Sequence, residues 1–376
     1  MQHADQIAMI HRLFKHIDQK TTTCLPTVHQ NSVNNYICPE RLTREIGELF
    51  RKGPVFLGLS GRIPEPGGFA TEDVAGVPVL YCRDMDGKAR AYLNICRHRG
   101  ARLVEGCGHA RRFTCPYHAW TYRLDGGLQT VPSGKDFPEI VKGGNGLHEI
   151  SCVEEHGLIF VQIDGTIDRN ALWGGLDRDF ASYGFGSFHH YRSLTIRRQM
   201  NWKLCPETFM EGYHLQYLHR DSVGPIFFSN LMAFDAFGHN SRLTLPRRRI
   251  LELRERPESD WRLIPETAMI YNIFPNVTFV IQAGHVEMWR AYPDGGPDRC
   301  RVEVSVFTPE PVVDEKARTY YERNIDLAIS TVDGEDFPLS EGIQVGHMAA
   351  MQDHVTYGRN EPALTHYSQS LDAALA

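Results

Sequence analysis

The sequence lacks the features that mark several classes of protein. No apolar run approaches the roughly 18 residues that a membrane-spanning helix requires, and the first 22 residues have neither the basic start nor the apolar core of a secretion signal. The net charge of −6 argues against a nucleic-acid partner. We therefore predict a protein that binds neither membranes nor nucleic acid.

Cysteine is present, but not in the paired pattern of a disulfide-stabilised protein. The chain has nine cysteines, an odd number, and most of them are scattered outside any motif. Disulfides are rare in a reducing compartment, so this usage predicts a cytoplasmic location. The 376 residues are enough for two domains and a sizeable core.

Two of the cysteines belong to the stretch from Cys96 to His118. It contains a Cys-x-His pair, Cys96 and His98, and further on a Cys-x-x-His pair, Cys115 and His118. Two thiolates and two imidazoles in this order suit a [2Fe–2S] cluster of the Rieske kind, in which two Cys bind one iron and two His bind the other. The alternative is a zinc site, because zinc is often bound by two Cys and two His. Zinc fingers usually pair Cys with Cys and His with His, whereas here each pair is mixed.

Hydrophobic periodicity changes along the chain. Residues 3–19 have apolar residues at helical spacing, and after about residue 50 short strands alternate with Gly, Pro and Asp turns. A second strand-rich region follows, together with long helical segments and a tail that we expect to be poorly fixed. The pattern predicts an α+β protein of three parts: a helical segment at 1–49, an antiparallel β domain at 50–165, and a domain of antiparallel sheet with long helices at 166–376.

A second group of metal-binding residue types lies in residues 201–219, which read NWKLCPETFMEGYHLQYLH. His214 and His219 are five residues apart, and a regular helix would direct them about 140° from each other. Both can bind one metal ion if the helix ends or distorts near His219. Otherwise one His is a core residue and the other a surface residue.

Together these segments resemble the Rieske non-heme iron oxygenases, the terminal (alpha) components of bacterial ring-hydroxylating systems. CRHRGA followed by CPYHAW is similar to their Rieske domain, and NWK…E…E-x-x-H-x-x-x-x-H is similar to their iron-ligand segment. The resemblance covers about residues 45–345 and implies a Rieske [2Fe–2S] domain followed by a helix-grip catalytic domain. It also implies the cluster ligands, which are Cys96, His98, Cys115 and His118.

The resemblance further implies a mononuclear Fe(II) site of two His and one carboxylate, which leaves open positions for O₂ and substrate. His214 and His219 would be two of its ligands. We expect the carboxylate from an acidic stretch nearer the C-terminus and assign Asp336. Its competitors are neighbouring acids whose ordinary role is to place charge at a helix N-terminus: Asp333, Glu335 and Glu341.

Glu211 corresponds in this family to a carboxylate that bridges the two metal centres of adjacent subunits. It would accept a hydrogen bond from His118 of a neighbouring subunit on one side and from an iron-ligating His on the other. Aromatic-ring dioxygenases mostly have Asp at this position. Glu is more similar to the branch with quaternary-amine demethylases and hydroxylases, which leaves the substrate class open.

Apolar and aromatic residues of the second domain are expected to line a substrate pocket. For any one of them, core packing is the more ordinary role. Aromatic rings suit a flat apolar substrate and also a cation, so the composition does not choose between these substrates. The residues assigned to the pocket are Phe209, Phe227, Tyr271, Phe279 and Trp289.

The resemblance implies an enzyme that uses O₂ and electrons from a ferredoxin or flavin reductase, ultimately from NAD(P)H. It would hydroxylate an aromatic or other hydrophobic small molecule. The alternatives are a Rieske N- or O-demethylase acting on a quaternary amine or methoxyaromatic compound, and a Rieske electron carrier without oxygenase activity. Because the family's two centres are close only across a head-to-tail ring of three subunits, we also expect a homotrimer.

Overall fold

The structure is a computed structural model that describes residues 1–140 and 144–376. Residues 141–143, part of an irregular insertion expected before the last strand of the β domain, lie outside the described residues. Within the described part of the chain, no helix has both the length and the apolar character needed to cross a membrane.

The described residues form two compact units that differ from the three parts expected. The N-terminal helical segment belongs to the same unit as the large C-terminal region, since side chains such as Glu45 and Tyr36 are buried in that unit. The first unit comprises Met1–Glu45, Trp173–Tyr183 and His190–Ala376, and the second comprises Ile46–Leu172 and Gly184–His189.

The N-terminal part of the first unit begins with an amphipathic helix, α1 (His3–Gln19), which buries Met9, Ile10, Leu13 and Phe14. A short strand and two short helices follow it. They are β1 (His29–Ser32), α2 (Asn34–Ile37) and α3 (Pro39–Glu45), and a π-helical turn at Ile46–Arg51 comes next in the chain.

The second unit is built from two antiparallel sheets, as the period-two pattern predicts. Seven strands form one sheet in the order β2-β11-β10-β5-β4-β3-β6, and three short strands form the other in the order β7-β8-β9. The strands are β2 (Val55–Leu59), β3 (Gly68–Val74), β4 (Val77–Arg83), β5 (Ala89–Leu93), β6 (Cys107–His109), β7 (Arg112–Thr114), β8 (Thr121–Arg123), β9 (Leu128–Thr130), β10 (Glu149–Glu155) and β11 (Leu158–Gln162).

The connecting segment forms two short helices, α4 (Arg169–Trp173) and α5 (Asp177–Tyr183). The first unit then adds a seven-stranded antiparallel sheet in the order β12-β18-β17-β16-β15-β14-β13. The strands are β12 (His189–Arg198), β13 (Ala233–Phe237), β14 (Asn240–Pro246), β15 (Thr267–Ile273), β16 (Val277–Ile281), β17 (Val286–Pro293) and β18 (Cys300–Thr308). The short helix α6 (Leu204–Thr208) lies between β12 and β13 in the chain.

The Asp333-Gly334 pair is a turn signal in the sequence and predicts a break between two long helices near the C-terminus. The structure is helical through this pair. Helix α7 (Glu315–Thr331) is capped at its N-terminus by Asp314, whose side chain accepts a hydrogen bond from the backbone N–H of Ala317. A π-helical turn, Val332–Asp336, joins it directly to α8 (Phe337–Met348). A π-turn accommodates an extra residue without ending the helix, and such turns occur frequently at functional sites.

The C-terminal tail is ordered, contrary to the expectation from its polar composition. Strand β19 (His354–Tyr357) pairs antiparallel with β1. Helix α9 (Pro362–Ala374) follows and buries Leu364, Tyr367 and Leu371. The apolar residues of the tail are few, but they occupy one buried face of this helix, which fixes it within the first unit.

Candidate metal centres

The two Cys/His pairs of the second unit lie on loops with the same backbone hydrogen bonds. The N–H of Cys96 donates to the carbonyl of Ala101, and the N–H of Cys115 donates to the carbonyl of Trp120, each at 2.8 Å. In both loops the residue four positions after the Cys has a positive φ, 78° at Gly100 and 56° at Ala119. Glycine adopts this conformation freely and alanine does not. The loop geometry therefore imposes strain on Ala119.

The loops bring their histidines together at one place. The rings of His98 and His118 have centroids 4.7 Å apart, and the His98 ring stacks on Trp120 at 5.0 Å with the planes 5° apart. Cys96 and Cys115 are buried, whereas His118 is exposed. Burial raises the pKa of Cys96.

Two observations test whether these residues suit an iron–sulfur cluster. The Nδ1 atom of His98 is buried and has no hydrogen-bond partner among the described residues. A buried imidazole nitrogen without a partner is costly unless it binds something, and a metal ion provides that bond. The hydroxyl of Tyr122 accepts from the N–H of Arg97 at 3.0 Å and lies 3.3 Å from Sγ of Cys96, placed to donate to a thiolate there. The donor set and its surroundings fit the group.

The second site depends on an irregular segment of the first unit. After the five residues of α6, residues 209–213 are not helical, and a single 3₁₀ turn, His214–Gln216, follows. The sequence predicts a helix that ends or distorts near His219, and the structure ends it earlier, at Thr208. The chain instead bends so that the rings of His214 and His219 lie with their centroids 4.9 Å apart.

Asp336 reaches these histidines from the π-turn between α7 and α8. Its Oδ1 atom lies 3.2 Å from Nε2 of His219 and 3.6 Å from Nε2 of His214. One ligand atom from each of the three residues lies within 4.8 Å of the others, close enough to bind one metal ion. Asp336 and His219 are buried, and His214 is partly exposed. The structure thus gathers the three residues assigned to the mononuclear iron.

The other nitrogen of each histidine is held by a glutamate. Nδ1 of His214 is hydrogen-bonded to Glu211, and Nδ1 of His219 lies 2.8 Å from Oε2 of Glu335. Burial opposes protonation of His219, but Asp336 and Glu335 outweigh it, so the pKa of His219 is raised. Ligating histidines commonly have a carboxylate on the far nitrogen, which orients the ring. The arrangement directs both Nε2 atoms toward Asp336.

The competing acids have other partners. Asp333 receives a hydrogen bond from Arg198, and Glu341 accepts one from the backbone N–H of Gln199 at 2.9 Å. Glu335 contacts His219, but at the nitrogen opposite Asp336. The sequence predicts Glu335 only as a rival ligand and does not predict this contact, because residue spacing alone does not say which imidazole nitrogen an acid contacts.

The NWK tripeptide at the start of the segment anchors it to the N-terminal helices. Lys203 is fully buried, and its ammonium lies 2.8 and 2.9 Å from the two carboxylate oxygens of Glu45 on α3. The indole N–H of Trp202 donates to the same carboxylate at 2.9 Å. Asn201 donates to the carbonyl of Tyr36 at 3.0 Å. These buried contacts fix the point from which the histidine segment departs.

A cavity of about 300 Å³ borders the histidine site in the first unit. Glu211, His214 and Asp336 contribute to its lining, together with Glu207 and Glu361. Burial raises the pKa of Glu207 to about 7. The Glu207 carboxylate accepts a hydrogen bond from the Tyr36 hydroxyl at 2.7 Å, and the Tyr36 hydroxyl also lies 2.6 Å from that of Tyr357. Glu207 belongs to no motif that would predict this position from the sequence.

The residues assigned to a substrate pocket separate into different environments. Phe209 and Trp289 contact each other, with ring centroids 5.5 Å apart, and Trp289 also contacts Phe337, the residue after Asp336. Tyr271 and Phe279 were wrongly grouped with them. Trp289 pairs with Thr278 across β16 and β17, so the next residue, Phe279, points to the opposite face.

On that opposite face, Tyr271 and Phe279 pack on Phe180 of α5, at 5.2 and 5.5 Å between centroids. Phe227 forms a β-bridge with Arg247, whose guanidinium lies 5.5 Å from the centroid of its ring. Phe209 and Trp289 therefore lie on the side of the histidine site, and Tyr271 and Phe279 lie on the opposite face of the sheet.

The fold, the Cys/His site and the His/carboxylate site together define a Rieske-type iron oxygenase. Residues 54–162 match the model of the Rieske [2Fe-2S] domain, and residues 185–376 match that of the ring hydroxylating alpha subunit (catalytic domain). The chain belongs to the ring-hydroxylating alpha subunit family. Its cofactors are accordingly a [2Fe–2S] cluster and a mononuclear iron, which removes the zinc-site and electron-carrier alternatives.

Curated relatives include both monooxygenases and dioxygenases. Chloroplastic choline monooxygenase of Spinacia oleracea is 24% identical over 318 residues, which are 83% of this chain and 70% of the relative. The large oxygenase component of the naphthalene 1,2-dioxygenase system of Pseudomonas putida is 35% identical over 208 residues, 51% of this chain and 45% of the relative.

Solved structures share the fold over nearly the whole chain. The quaternary ammonium Rieske monooxygenase CntA in complex with L-carnitine superposes with a TM-score of 0.79 at 17% identity, covering 93% of this chain and 97% of that chain. Naphthalene 1,2-dioxygenase with indole bound superposes with a TM-score of 0.69 at 17% identity, covering 92% of each chain.

Proposed function

We propose that two groups of side chains hold the metal centres of this oxygenase. The mononuclear Fe(II) is bound by His214, His219 and Asp336. The observation that supports this assignment is the convergence of their ligand atoms within 4.8 Å, with a glutamate on the far nitrogen of each histidine. The [2Fe–2S] cluster is bound by the four residues of the paired loops: Cys96, His98, Cys115 and His118.

The two centres divide the chemistry between them. Iron in a site of two His and one carboxylate supplies O₂ binding and activation, and a Rieske cluster supplies electrons one at a time. In a monooxygenation, O₂, two electrons and two protons convert a C–H bond to C–OH and release one water. In a dioxygenation, the same inputs place both oxygen atoms on the substrate as a diol. Glu211 orients the ring of His214, and Glu335 contacts the ring of His219.

The electrons come from a ferredoxin or flavin reductase, and the enzyme works as a homotrimer in which Glu211 meets His118 of the neighbouring subunit. Exposed aromatic side chains beside both sets of ligands support a subunit interface there. Tyr117 is 56% exposed next to His118, and Tyr217 is 63% exposed between the two iron-site histidines. A mass three times 42.8 kDa in solution is the expected result, and a monomer active at full rate would contradict it.

The first candidate substrate is an aromatic or other hydrophobic small molecule, which would pack against the apolar side chains of the cavity wall, among them Leu218, Leu339 and Ile343. A quaternary amine is the second candidate. It is favoured by the carboxylates of Glu207 and Glu361 in the cavity wall, close to the ring of Tyr357, because carboxylates and aromatic faces both attract cations. Hydroxylation of its N-methyl carbon would give a hydroxymethyl group, and loss of this group as formaldehyde and a proton would leave the tertiary amine.

A single-turnover experiment tests the function and separates the substrate classes. Anaerobically purified protein with a reduced cluster is mixed with O₂ and pools of aromatic acids, hydrocarbons, methoxyaromatics or quaternary amines. Cluster oxidation is followed by absorbance and products by mass spectrometry. A product with one or two added oxygens on a ring supports the first candidate, and formaldehyde with a demethylated amine supports the second. A protein that binds two irons per chain instead of three would contradict the oxygenase assignment.

A further inference from the structure

Two consecutive acids of the π-turn contact opposite nitrogens of one imidazole. Oδ1 of Asp336 lies 3.2 Å from Nε2 of His219, and Oε2 of Glu335 lies 2.8 Å from Nδ1. In a regular α-helix, consecutive side chains point about 100° apart. Glu335 and Asp336 are consecutive residues of the π-turn Val332–Asp336, and their carboxylates lie on either side of the His219 ring.

We infer that Glu335 is a positioning residue for the mononuclear metal, and that it acts by holding His219 with its proton on Nδ1 and its lone pair on Nε2. The inference rests on the proposed function of the His219 site. A neutral imidazole carries one proton, and the acceptor on one nitrogen decides which nitrogen is free to bind a metal. Glu335 offers only acceptor atoms when ionised, so it selects Nε2 as the ligand atom.

The surroundings of Glu335 support this role. Its Oε2 atom also accepts a hydrogen bond from the hydroxyl of Ser222 at 3.0 Å. The backbone N–H of Ser222 in turn donates to the carbonyl of His219 at 3.1 Å. The carboxylate thus holds both the ring of His219 and the turn that follows it. His214 has a matching arrangement, since the Glu211 carboxylate is hydrogen-bonded to Nδ1 and to the backbone N–H of His214.

The test measures metal affinity instead of turnover. The variants are Glu335→Ala, Glu335→Gln and Glu335→Asp, and Glu341→Gln is the matched control on the neighbouring helix, where the side chain contacts Gln199 and Arg198. Protein with an intact cluster and an empty mononuclear site is titrated anaerobically with Co²⁺ against a chelator. Removing a carboxylate behind a ligating histidine typically weakens metal binding by about 10- to 100-fold.

We expect the affinity for Co²⁺ to fall by this amount in Glu335→Ala and by less in Glu335→Gln. Glu335→Asp should recover part of the affinity, and Glu341→Gln should not change it. Proton NMR of the Co²⁺-loaded protein gives the signature of positioning. Wild-type protein should show two slowly exchanging, paramagnetically shifted imidazole N–H signals, and Glu335→Ala should show one of them exchanging fast with solvent. Acid-labile sulfide, measured on every variant, should stay constant and so shows that the second unit is intact, and an unchanged urea midpoint shows the same for the first unit.

Each contrary result has a distinct meaning. Unchanged Co²⁺ affinity and two slow N–H signals in Glu335→Ala would overturn the inference while leaving the proposed function in place. Equal losses in Glu335→Ala and Glu341→Gln would also overturn it, because they would indicate a general effect of removing charge from this region. A wild-type protein that binds no metal beyond its cluster would overturn both the inference and the proposed function.

Discussion

The rings of His214 and His219 lie with their centroids 4.9 Å apart and their planes at 72°. Two residues at this spacing on a straight helix would point about 140° apart, so the contact exists because the segment between them is not a regular helix. The 3₁₀ turn at His214–Gln216 tightens the backbone, and hydrogen bonds from Ser222 and Gly224 to the carbonyl of His219 turn the chain again. Local irregularity is therefore what allows both histidines to face one carboxylate.

Asp336→Ala should remove the mononuclear iron and leave the cluster in place. The variant loses the only carboxylate that lies near Nε2 of both His214 and His219 in the described part of the chain. We expect the iron content to fall from about three to about two per chain with unchanged acid-labile sulfide, and no product in a single turnover. Asp333→Asn is the control, because Asp333 contacts Arg198 instead. Three irons in Asp336→Ala would show that another residue completes the site.

Glu45→Ala should destabilise the first unit strongly. It leaves the fully buried ammonium of Lys203 without its partner, and removing one member of a buried pair typically costs about 3–5 kcal/mol. Glu48→Ala breaks an exposed pair with Lys52 at 2.8 Å and should cost less than about 1 kcal/mol. Urea denaturation of Glu45→Ala and Glu48→Ala measures the loss of stability in each variant. Equal midpoints would contradict the anchoring role of the NWK segment.

Glu207→Gln should change how stability depends on pH. Burial raises the pKa of Glu207 from 4.5 to about 7, so between these values the folded protein binds a proton that the unfolded chain releases. The free energy of unfolding should therefore fall as the pH rises through this window, by about 3 kcal/mol for this group. A glutamine side chain does not titrate, so the free energy of unfolding of Glu207→Gln should lack this dependence on pH.

Urea midpoints at pH 5 and pH 8, at constant ionic strength, measure this effect. The wild-type midpoint should decrease more than that of Glu207→Gln over the interval. Parallel decreases in the two proteins would show that Glu207 is not the group responsible.

Tyr122→Phe should lower the reduction potential of the cluster. The Tyr122 hydroxyl lies 3.3 Å from Sγ of Cys96, and a hydrogen bond to a cluster ligand sulfur stabilises the more negative, reduced state. A hydrogen bond worth about 0.5–1.5 kcal/mol corresponds to about 20–65 mV for one electron. Tyr92→Phe is the control, since its hydroxyl donates to the carbonyl of Leu124 at 3.0 Å. An equal shift in both variants, measured by redox titration, would exclude a specific effect of Tyr122.

Part of the fold follows from local sequence patterns. The alternating strands, α1 and α7 were predictable because hydrophobic periodicity and turn residues act over a few positions. The ordered helix α9 was not, because its polar composition conceals the few residues, Leu364, Tyr367 and Leu371, that it buries. The continuity through Asp333-Gly334 was also missed, since Asp-Gly is ordinarily a turn signal, whereas the contact of Asp333 with Arg198 depends on the tertiary structure.

The sequence by itself determined which residue types are available for metal binding, and the motif spacing around Cys96, Cys115, His214 and His219 was sufficient to identify the family. Only the tertiary structure decided which acid meets which nitrogen, and on which face of the sheet each aromatic side chain lies. Asp336 and Glu335 differ by one position in the chain, yet they contact opposite sides of one ring. The physical reason is that composition and spacing are properties of short segments, whereas ligand geometry depends on contacts between segments more than a hundred residues apart.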